Sequence, residues 1–92
     1  MRLDKFLKVS RLIKRRPVAK EIVDKGRVQV NGKLAKAGVQ LKLDDVIRIR
    51  FGNKIVEAKV LLLSENARKE EAERMYEILS EERIDGDGPR DD

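Results

Sequence analysis

The sequence predicts an α+β fold: two N-terminal helices packed on a small twisted antiparallel sheet, with a further helix near the C-terminus. Three observations lead there. Leu3, Phe6 and Leu7 recur at helical spacing. After Gly26 the apolar period shortens to two, first in Val28 and Val30, then in Ile47, Ile49 and Phe51. Ala72, Met75, Tyr76 and Leu79 then return to helical spacing within a segment dense in glutamate.

The first helix is expected over residues 3–9, with Leu12 and Ile13 as further anchors. Asp4 sits in its first turn, where a carboxylate complements exposed backbone amides. Lys5, Lys8, Arg11 and Lys14 recur every three residues and gather on the side away from Leu3, Phe6 and Leu7. Pro17 suits the first position of a second helix, where its missing amide removes no hydrogen bond. Val18, Ile22 and Val23 supply that helix with an apolar face, and Gly26 ends it.

Val28 and Val30 lead into Asn31-Gly32, a favoured tight-turn pair. Residues 33–45 read as a basic connector ending at Asp44-Asp45. Residues 46–51 form a strand with Arg48 and Arg50 on the face opposite Ile47 and Ile49. Gly52-Asn53 turns the chain into a returning strand over 54–62, with Val56, Ala58, Val60 and Leu62 on one face. Ser64 or Asn66 is then placed to cap a helix over roughly 67–80. The segments are thus a domain over 1–63, an acidic amphipathic helix over 64–84 and a disordered acidic tail over 85–92.

Composition narrows the function. The 92 residues contain no cysteine and no histidine, which removes disulfides, thiolate nucleophiles, Cys-ligated metals and the commonest general base. No catalytic constellation, cofactor or metal site is expected. The longest apolar run, over 60–63, is far too short to span a membrane, and the N-terminal residues lack a secretory signal. Charge is segregated. Residues 1–54 carry 16 basic and 5 acidic residues, a net of +11, whereas residues 55–92 carry 6 and 12, a net of −6. Such a basic half attracts a polyanion in a strongly salt-dependent way.

The ordered set Arg2-Leu3-Asp4, Phe6-Leu7, Arg11, Ala19, Val23, Gly26, Val28, Val30-Asn31-Gly32, Lys36 and Asp45 resembles the S4 (alpha-L) RNA-binding domain. The match covers about residues 1–51. At the level of the whole chain the sequence is similar to the stand-alone S4 proteins of the heat-shock-protein-15 group, in the compact form found in Gram-positive bacteria. The acidic C-terminal segment favours that form over the proteobacterial one, which carries a longer basic extension.

The resemblance implies a non-enzymatic, cytoplasmic factor, monomeric off the ribosome. Such a factor binds the large ribosomal subunit of a stalled, split ribosome that still holds peptidyl-tRNA. Its partners would be 23S rRNA, tRNA and a tRNA-recruiting quality-control protein that appends C-terminal alanine tails. A ribosome-assembly role is the nearest alternative. A basic DNA-binding protein is another, weakened because residues 18–25 (VAKEIVDK) offer few side chains for reading base edges.

Arg2, Arg11, Lys14, Arg15 and Arg16 are the leading candidates for RNA contact, because the planar guanidinium fork suits phosphate oxygens and stacks on unpaired bases. Lys5 and Lys8 share their helix. Arg27, Lys33 and Lys36 flank the Asn31-Gly32 turn and would extend the surface. Arg48 and Arg50 divide evenly between RNA contact and plain solvent exposure. Asp4 is expected to orient Arg2 or Arg11, with an i,i+4 pair to Lys8 also open. Asp44-Asp45 is expected to anchor a turn. With Phe6, Phe51 and Tyr76 as the only aromatics, recognition should rest on shape and phosphate geometry rather than base stacking.

Overall fold

The computed structural model describes residues 1–13 and 16–83, with the side chain of Arg16 left out. Two helices, α1 (Leu3–Val9) and α2 (Arg16–Asp24), precede β1 (Val28–Val30), β2 (Lys33–Leu34), β3 (Val46–Phe51) and β4 (Lys54–Val60). A single helical turn, α3 (Lys69–Ala72), and a long last strand, β5 (Tyr76–Arg83), complete the order. The strands form one antiparallel sheet in the order β2-β1-β3-β4-β5.

One face of this sheet receives the helices. Leu3, Phe6 and Leu7 of α1 and Ala19, Ile22 and Val23 of α2 pack with Val28, Ile47, Ile49, Val60 and Met75 in a single core. Burial alternates along β3, where Ile47 and Ile49 are fully enclosed and Arg48 and Arg50 exposed, so the period-two reading holds residue by residue. In α2 the apolar face is shifted. Ala19 is buried, whereas Val18 is 37% exposed. Leu62, expected to continue the face of β4, lies beyond the end of that strand and is also exposed.

Asn31 and Gly32 make the two-residue β1–β2 turn with φ of 52° and 83°. Positive φ at both central positions matches the twist of the flanking strands. The connector over 33–45 therefore begins with a short strand, β2. The first helix ends at Val9, as its spacing predicts. Arg11 takes φ 64° and donates its N–H to the Lys8 carbonyl at 3.1 Å, while the Ile13 N–H returns to Leu7 at 3.2 Å. That reversal sends Ile13 into the core.

The C-terminal segment differs most from expectation. A helix is present, but as the one turn Lys69–Ala72, capped by Arg68 with no side-chain bond rather than by Ser64 or Asn66. Residues assigned to the rest of an acidic helix over 64–84 form β5 on the free edge of β4. Ala72 and Met75 are buried as the helical stripe required, but Leu79 is exposed at an irregularity in the pairing, where Glu57 faces Ser80 and Ala58 faces Ile78. Edge pairing decides the outcome: without β5, the outer backbone groups of the seven-residue β4 would be left unpaired. Glutamates on β5 then blunt the new edge. The segment is thus part of the same sheet and core, not an appended helix. The tail expected over 85–92 lies outside the described residues.

Candidate nucleic-acid interface

Arg2 stands at the N-cap of α1 and is held by its backbone. It bridges to Gln40, and its carbonyl accepts the Phe6 N–H at 2.9 Å to open the helix. The amides of Leu3 and Asp4 are satisfied by the Val39 and Ala37 carbonyls, at 2.8 and 3.2 Å, which ties the helix start to the 37–41 segment. The Arg2 guanidinium lies over Gly38, and its Nε is 3.3 Å from Asp4 Oδ1. The same oxygen accepts the Lys5 N–H at 2.8 Å. Asp4 therefore orients Arg2, the first of its expected roles. Pairs with Arg11 or Lys8 are absent among the described residues.

Lys8 and Arg11 are exposed at the other end of α1, beside an open groove whose opposite wall includes Lys69 and Tyr76. Lys5 is committed elsewhere. Its Nζ lies 2.7 Å from Glu65 Oε1, and this hydrogen-bonded cation holds the Glu65 carboxyl below the usual glutamate range. Lys25, just past the end of α2, does the same to Glu21 at 2.8 Å. Arg16 begins α2. Lys14 and Arg15 lie outside the described residues. Lys33 and Lys36 are exposed, and Lys33 faces Val30, hence the helix-bearing side of the sheet.

Arg27 is placed differently from the other candidates. It precedes the buried Val28, so by alternation it belongs to the opposite sheet face, with Gln29, Arg48 and Arg50. Sequence reasoning could not find this division, nor Glu65 as the partner of Lys5, because each depends on residues far apart in the chain. Asp45 anchors the turn before β3, accepting from the Lys42 backbone and the Asn31 amide at 2.9 Å each. Asp44 lies 3.6 Å from Lys59 Nζ. Among the described residues, no three acidic groups assemble as a metal site and no helix is long and apolar enough to cross a membrane.

Comparison with known proteins shows the family. The S4-domain family matches residues 1–47. An RQC P-site tRNA stabilizing factor of Listeria innocua is 64% identical over 92% of this chain and 92% of its own length. One of Streptococcus pneumoniae is 59% identical over 92% and 97%. The trimeric structure of Vibrio cholerae heat shock protein 15 superimposes with a TM-score of 0.77 at 30% identity, covering 87% of this chain and 82% of that one. An S4 domain binds RNA without catalysing a reaction. On these grounds the chain belongs to the S4-domain family of RNA-binding proteins, within the group of stand-alone members related to heat shock protein 15.

Proposed function

We propose that this protein binds the large ribosomal subunit of a stalled, split ribosome, contacts its 23S rRNA and the P-site peptidyl-tRNA, and supports C-terminal alanine tailing of the stalled chain. The observation that carries the proposal is the near full-length similarity to RQC P-site tRNA stabilizing factors, at 59–64% identity. The physical arrangement supports it. Arg2 is oriented by Asp4 at one end of α1, Lys8 and Arg11 stand at the other, and Arg16 opens α2. Arginine side chains suit the phosphates of folded RNA, and sparse aromatics disfavour recognition of single strands by stacking. The protein acts in the cytoplasm as a monomer off the ribosome and works with a tRNA-recruiting protein.

The test is capture of the tagged protein from bacterial lysate at near-physiological salt, with sequencing of its RNA and identification of its proteins. Recovery of free large subunits with tRNA and an alanine-extended chain is expected. Immature rRNA would replace the proposal with an assembly role. Recovery of DNA, or of mixed RNA that washes off with salt, would reduce the protein to a general polyanion binder.

A further inference from the structure

We propose that the sheet face turned away from the helices is a second RNA-binding surface, built by Arg27, Arg48 and Arg50, so that the protein holds phosphate backbone on two opposite sides. The proposal rests on the chain being an RNA-binding protein and adds a site that the helix surface does not include. Its geometry follows from register. Val28 faces Ile49 and Gln29 faces Arg48, while the Arg50 N–H donates to the Arg27 carbonyl at 2.9 Å. Arg27 and Arg50 are therefore cross-strand neighbours with Arg48 beside them, and all three line one open concavity of about 510 Å³ with Lys25, Gln29 and Ile55.

Like charges facing each other across antiparallel strands destabilise a sheet. Here the repulsion is left standing, since among the described residues none of the three arginines has a carboxylate within ion-pair distance. Glu57, directly opposite Arg48, is engaged on its other side by the Ser80 hydroxyl at 3.0 Å. Lys25 is held by Glu21 at 2.8 Å. Three guanidinium groups with no carboxylate partner among the described residues, set around a concave floor, match phosphate oxygens in charge and in donor geometry. Gln29 adds a side chain that both donates and accepts, suited to a ribose hydroxyl. RNA is the occupant these features fit.

The experiment compares the wild type with two variants: R27Q/R48Q/R50Q, and R27K/R48K/R50K, which keeps the charge. Affinity for purified large ribosomal subunits and for purified tRNA is measured across a potassium chloride series. UV crosslinking with mass spectrometry then locates the contacts. The glutamine variant should keep or slightly raise the wild-type melting temperature, because the facing charges are removed. Its log-affinity against log-salt slope should be shallower by about two to three on at least one of the RNAs, the loss expected for three phosphate contacts. The lysine variant should retain most of the slope, and wild-type crosslinks should fall on β3.

An unchanged slope with crosslinks confined to α1 and α2 would overturn the second surface while leaving the helix surface intact. If poly-glutamate, titrated in parallel as an acidic-peptide probe, binds the wild type but not the glutamine variant while the RNA slope is unchanged, RNA is overturned as the occupant. A wild-type protein that binds tRNA but not large subunits would remove the ribosomal proposal without touching this one, whereas binding to neither RNA overturns both.

Discussion

Asn31, in the β1–β2 turn, and Asp45, just before β3, hold one another. The Asn31 amide donates to Asp45 Oδ1 at 2.9 Å, and Asn31 Oδ1 accepts the Val46 N–H at 2.9 Å. Asn31 also occupies left-handed backbone, at φ 52°. One side chain thus fixes the turn and the first residue of the central strand β3. Because β3 carries Ile47 and Ile49 into the core and Arg48 and Arg50 to the opposite face, this contact helps fix which side chains each face of the sheet presents.

Asn31→Ala should therefore destabilise the domain by about 1–2 kcal/mol, through two lost hydrogen bonds and a less tolerated φ. Its melting temperature should fall by about 5–15 °C. Asn31→Gly keeps the backbone freedom and should lose less. Thermal unfolding of the two variants separates the contributions, and equal losses would show that φ is immaterial.

Arg11 presents the opposite trade. It takes φ 64° where helices ordinarily end in glycine, and its side chain is exposed. Arg11→Gly should raise stability by about 1 kcal/mol while weakening RNA binding. Arg11→Lys should keep the backbone strain and most of the charge. Melting curves and RNA titration on the same preparations check both halves. A glycine variant that is less stable would mean that the arginine stem contributes more packing than its backbone loses.

Glu65 holds Lys5 in an ion pair at 2.7 Å. Glu65→Gln should free the ammonium and steepen the salt dependence of RNA binding by up to about one unit of slope. The same contact has a pH signature. Lys5 lowers the folded-state pKa of Glu65, so its stabilising effect is present above the unfolded glutamate range and is lost as pH falls through the lowered value. Glu65→Gln should remove that part of the acid sensitivity, as would high salt, because the pair is solvent-exposed. Identical acid-unfolding profiles and salt slopes for wild type and variant would leave the pair without consequence.

Arg2→Ala combined with Arg16→Ala should weaken binding to large subunits by tenfold or more, roughly the effect of losing one charge-assisted phosphate contact. The melting curve should stay near wild type, since Arg2 is exposed and its fold-forming contacts are made by its backbone. Normal folding with unchanged subunit affinity would remove both residues from the interface.

The sequence by itself determined the helical core positions, the Asn31-Gly32 turn, the alternation of β3 and the segregation of charge. Each is written in residues a few positions apart, where spacing alone decides which face a side chain takes. It also carried the S4 motif and hence the RNA-binding class. What only the tertiary structure decided are the relationships between distant segments. Residues 76–83 satisfy helical spacing as well as an edge strand, and the open edge of β4 selects the strand because its backbone groups need partners. Lys5 is neutralised by a glutamate 60 positions away, and Arg27 meets Arg50 only once β1 and β3 are in register. Local periodicity names the charges available to RNA, and strand pairing decides which of them share a face.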